Sequence, residues 1–80
     1  MKEKIKVIRE ELIANIFRTR GDVKLELQET WVLDSEEGIV RAIEGISRVI
    51  AFCMAIKEEL ITLLRLNKLL MEEHEDEGED

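Results

Sequence analysis

The sequence predicts an α+β fold, ordered as helix, strand (or short hairpin), long helix, with its sheet completed by a partner chain. Three observations predict it. Ile5, Ile8, Leu12 and Ile16 recur at steps of three and four, a helical stripe. Val23, Leu25, Leu27, Trp31 and Leu33 fall on one face of an alternating run, the period of a strand. From Ser35 to Met71 there is no proline, and apolar residues keep helical spacing throughout.

The first helix is expected at about residues 3–20. Ile13 and Phe17 widen its stripe, and Arg18 and Arg20 place cations at its negative end. Gly21 then suits the left-handed position just past a helix terminus. Lys2, Lys4 and Lys6 carry the wrong sign for a helix start, so a short strand at Lys4–Ile8 is the alternative. In the strand, Lys24, Glu26, Gln28 and Thr30 form the wet face, and Glu29 interrupts the apolar one. Asp34 is expected to cap the long helix, with Glu37 three residues on as its capping-box partner.

A lone strand leaves N–H and C=O groups unpaired along both edges. It can fold back on Ile16–Thr19, bend near Gln28–Thr30, or join a sheet supplied by another chain; two-stranded ribbons are weak, so the third option is favoured. Gly38, Ala42 and Gly45 form a small-residue stripe, read as close packing on this chain's own strand or first helix, or as a contact between chains. Leu63, Leu66, Leu69 and Leu70 belong to a segment too apolar for one narrow stripe; a first helix running antiparallel beside it would cover part of it but is too short to cover it all. These residues, with the strand face, make up the expected protein interface.

The net charge of −7 is uneven. Residues 72–80 carry seven of the 19 acids and no Lys or Arg, so residues 1–71 are balanced at 12 acids and 12 bases. The chain reads as one small α+β interaction domain over residues 1–71 followed by a disordered acidic tail over 72–80. The charged, amide-poor composition leans toward a thermophilic source. Cys53 is the single cysteine, which excludes an internal disulfide and a cysteine-rich metal site. His74 stands among tail carboxylates, and Ser35 and Ser47 have no histidine base near them in the body. No phosphate-binding glycine loop occurs. Arg18, Arg20, Lys24, Arg41 and Arg48 make a modest basic face with no interleaved aromatics, little support for direct nucleic-acid binding. No catalytic residue, cofactor or metal site is predicted. No apolar run reaches membrane-span length, and no apolar leader is seen, so a cytoplasmic location is expected.

The segment Asp34 to Leu60, DSEEGIVRAIEGISRVIAFCMAIKEEL, resembles the last helix of the Pcc family, the small dimerising subunit of the KEOPS complex. The similarity rests on a strand leading through Asp34-Ser35 into a helix with Arg41, then Gly45 and Ser47, then Arg48. The resemblance implies a non-catalytic subunit that pairs by joining sheets and helices, in a complex making threonylcarbamoyladenosine on tRNA. It implies a homodimer or a heterodimer with a related small subunit. The alternative is a self-assembling helical scaffold, or an acidic-tailed regulator or inhibitor of a basic protein.

Overall fold

The computed structural model is a helical hairpin and contains no sheet among its described residues, which are 2–79 for the backbone and 2–72 for side chains. Helix α1 spans Lys2–Gln28 and helix α2 spans Glu36–Glu79, joined by a linker of residues 29–35. The molecule is a rod of 68 × 15 × 13 Å. The expected α+β class is therefore corrected to all-α. Except for Glu72, the expected acidic tail lies outside the residues whose side chains are described.

The expected strand divides in two. Residues 23–28 form the last turns of α1, and residues 29–33 belong to the linker. Lys24, Leu25, Glu26, Leu27 and Gln28 are good helix formers, and a helix satisfies its own backbone groups where a lone strand cannot. Gly21 lies inside α1 and has no positive φ, so it is not a terminator. The helix ends where Glu29-Thr30-Trp31-Val32 brings β-branched and aromatic residues, which lose rotamer freedom in a helix. The alternative strand at Lys4–Ile8 is likewise helical.

The cap of α2 falls one residue later than expected. Ser35 Oγ accepts the Gly38 amide at 3.1 Å, and the Ser35 carbonyl accepts the Ile39 amide at 3.1 Å. Ser35, rather than Asp34, is thus the N-cap, and Glu36 and Glu37 follow it at the positive end of the helix dipole.

The covered positions of α1 include Lys2, Ile5, Arg9, Leu12, Ile16, Thr19, Val23 and Glu26, a repeat of three and four, with Ile13 at its edge. Those of α2 include Ala42, Gly45, Val49, Phe52, Ile56, Glu59, Leu63, Leu66 and Leu70, in the same repeat. A seven-residue repeat on both helices defines an antiparallel coiled-coil hairpin. Two contacts fix its register. Arg9 Nε donates to Asn67 Oδ1 at 2.7 Å, and Arg48 donates to both Glu26 oxygens at 2.7 and 3.2 Å. Facing residue numbers add to 76 at the first contact and 74 at the second, so Ile5 is level with Leu70, Leu12 with Leu63, and Val23 with Phe52.

In this register α1 ends level with the third turn of α2, and the first turns of α2 run on beyond it. The linker fills that space as an extended strap. A Cβ on Gly38 would run into the Val32 carbonyl, so glycine is required there for the strap to lie against the helix.

The core is thin. Ile5, Ile16 and Ala42 are the buried hydrophobics, and no large side chain is fully buried among the described residues.

Candidate functional site

The seam against α1 uses only part of the apolar surface of α2. Displaced by one residue runs a second seven-residue repeat: Ile39, Ile43, Ile46, Ile50, Cys53, Lys57, Leu60 and Leu64. With Ala42 at position a, the α1 seam occupies a and d, and this second seam occupies b and e. On a helix those pairs lie side by side, so α2 is apolar over two adjoining faces. The second face is open. Ile43 is 60% exposed, Ile50 55% and Leu64 56%. Two shallow apolar grooves follow it, one between Trp31, Ile39, Ile43 and Ile46, the other between Cys53, Ile56, Leu60 and Leu64.

Of the expected interface residues, Val23 is half-buried in the α1 seam, while Leu25 and Leu27 are exposed on the outside of α1. Trp31 and Leu33 are exposed in the strap. Gly38, Ala42 and Gly45 lie beneath the strap and the end of α1, with Ala42 buried and a Gly45 Cβ position 3.5 Å from Glu26 Oε2. Leu63, Leu66 and Leu70 are half-buried in the α1 seam, because α1 is 27 residues long and reaches them. Leu69 remains exposed. The structure therefore brings the small-residue stripe together with the strap, and the leucines together with α1. It does not bring the two groups together.

The family-like residues are all held within the chain. Arg41 donates to Glu37 Oε1 at 3.0 Å, and Ser47 Oγ donates to the Ile43 carbonyl at 2.9 Å. Arg48 grips Glu26, and that hydrogen bond holds the Glu26 carboxyl below its ordinary value of 4.5, against the opposing effect of desolvation and with help from the Arg48 charge. The same hydrogen bond raises Arg48. A polar groove lined by Glu26, Glu29, Trp31, Glu37 and Arg41 lies at this end of the rod. Its two arginine neighbours, Arg41 and Arg48, are each neutralised by a carboxylate, which suits a structural clasp better than anion capture.

Among the described residues no group of His, Cys, Asp and Glu could hold a metal ion, and no helix is long and apolar enough to cross a membrane. Cys53 is exposed on the second seam rather than in the core. The signal for that seam was in the spacing. Ile39, Ile43, Ile46 and Ile50 are each one residue after a position of the first repeat, so one broad stripe resolves into two.

No protein-family model matches this chain, and no curated protein or solved structure is significantly similar to it. The fold and the site together define a class, the coiled-coil hairpin with one seam filled and one open.

Proposed function

We propose that this chain is a non-catalytic protein-interaction subunit, and that its working surface is the open b/e seam of α2. The observation that carries the reading is the contrast between a core of three buried hydrophobics among the described residues and a long, largely exposed apolar seam beside it, interrupted only at Lys57. A patch of that length on a soluble protein is an interface or an aggregation liability. A chain this short buries only roughly 60% of its unfolded surface on its own, so a partner supplies stability as well as function.

Pairing through helices replaces the expected pairing through a strand edge. The Pcc resemblance of Asp34–Leu60 proposes one setting, a KEOPS-like tRNA-modifying complex, whose subunits would meet the chain through α2.

Aspartate substitutions at Ile43 and Leu64 test the reading. Both side chains are more than half exposed, so in a lone hairpin the changes should be nearly neutral. If the seam is the working surface, the variant should lose association with its partner and keep its helical circular dichroism once concentrated or cooled. A wild-type chain that is a stable monomer, with a melt unaltered by both substitutions, would overturn the proposal.

A further inference from the structure

Resting on the interaction-subunit reading, we infer that the occupant of the open seam is a second copy of this chain, laid antiparallel so that the two α2 helices form the centre of a four-helix bundle.

Surface area is the first argument. The chain exposes 6595 Å², against about 5000 Å² for a compact protein of 9.3 kDa. Even if half of that surplus reflects the elongated shape and the chain end, two copies together hold about 1600 Å² to bury, the size of a standard stable interface.

The pattern within the seam is the second. It opens with Ile39, Ile43, Ile46 and Ile50 and closes with Leu60 and Leu64, with Cys53 and Lys57 between. In an antiparallel coiled coil, layers alternate the two heptad positions, as they do between α1 and α2. Laying the seam on a reversed copy of itself in that way sets Ile39 opposite Leu64, Ile43 opposite Leu60, and Ile50 opposite Cys53. Branched residues then meet leucines in the two outer layers of each end, Ile50 meets the small Cys53 near the centre, and the two-fold axis passes near Ala51 and Phe52. Lys57 falls opposite Ile46, where its stem lies on the apolar surface while its ammonium reaches water.

Charge decides the direction. A parallel, in-register pair would stack Lys57 on its own twin and bring both copies of residues 72–80, with seven acids each, to one end. The antiparallel pair separates both. It also suits the balanced charge of residues 1–71, which offers neither a basic nor an acidic partner a complementary field.

The experiment combines mass with directed cross-linking. Light scattering of the full chain at micromolar concentration should give twice the 9.3 kDa chain mass. In a Cys53→Ser background, Ile39→Cys and Leu64→Cys chains are purified separately and treated with a short bis-maleimide. Each alone should cross-link poorly, and their mixture should give a covalent dimer in high yield. Ile43→Asp with Leu64→Asp should weaken dimerisation by at least about 100-fold. A monomeric wild type, or cross-linking of Ile39→Cys to itself in preference to Leu64→Cys, would overturn the inference. If the monomer acquired stable structure only with a different protein bound across the seam, this inference would fall and the interaction-subunit reading would stand. A monomer that is stable alone and indifferent to the aspartates would remove both.

Discussion

Gly38 and Gly21 show how the same residue can be obligatory in one helix of the hairpin and dispensable in the other. At Gly38 a methyl group would strike the Val32 carbonyl, backbone that cannot swing aside. Gly38→Ala should therefore destabilise the hairpin by about 1–3 kcal/mol despite the better helix propensity of alanine. Apart from the backbone of α1 itself, no atom of the described residues lies within 4 Å of the corresponding position at Gly21, in the interior of α1. Gly21→Ala should stabilise by about 0.5–1 kcal/mol. Urea denaturation of the two variants checks both signs. Glu26 supplies a pH signature at the same scale. Its folded value is depressed below 4.5 by Arg48, so the clasp contributes above that value and is lost as pH falls through the lowered one. Thermal melts of the wild type and Glu26→Gln should differ at neutral pH and converge once the medium is acidified well below 4.5. Gly38 was legible in the sequence as a position of close approach. What approaches it, the Val32 carbonyl, was not, because the strap returns along the helix only after α1 has stopped short.

At the scale of the element, the hairpin is held by a seam with polar residues in it. Arg9 meets Asn67, and Glu26 meets Arg48, so these positions are satisfied and set the register. Glu59 is the exception. It lies level with Ile16, and its Oε1 is buried with no hydrogen-bond partner among the described residues. An unsatisfied buried polar atom costs about 1–3 kcal/mol. Glu59→Leu should raise stability by about that amount, read from the denaturation midpoint, and lower stability would show that the carboxylate finds a partner in the assembled protein. The alternation of Val23, Leu25 and Leu27 misled because its period is that of a strand, while the residues between them favour helix. In α1 Val23 faces α2 while Leu25 and Leu27 face outward, and the choice was made by Lys, Glu, Leu and Gln favouring helix where no second strand was available to pair.

The whole molecule is a rod two helices thick, a shape with too much surface for its mass. Its stability should therefore depend on concentration. If two copies close the open seam, tenfold dilution should lower the melting temperature by about 3–6 °C, and differential scanning calorimetry over a concentration series would detect it. A melting temperature independent of concentration is the outcome expected of a self-sufficient hairpin.

That α2 is long, unbroken and apolar on more than one side, and that charge balances over residues 1–71, can be read from the order of residues alone. Those properties are local: they follow from spacing, from the absence of proline, and from counting. Which apolar residues are covered within the chain follows from how α1 packs on α2. That division depends on register, and register is set by a few contacts between residues distant in sequence, Arg9 with Asn67 and Glu26 with Arg48. With α1 seated in that register, Leu63, Leu66 and Leu70 are taken, and Ile39, Ile43 and Ile50 are left facing out.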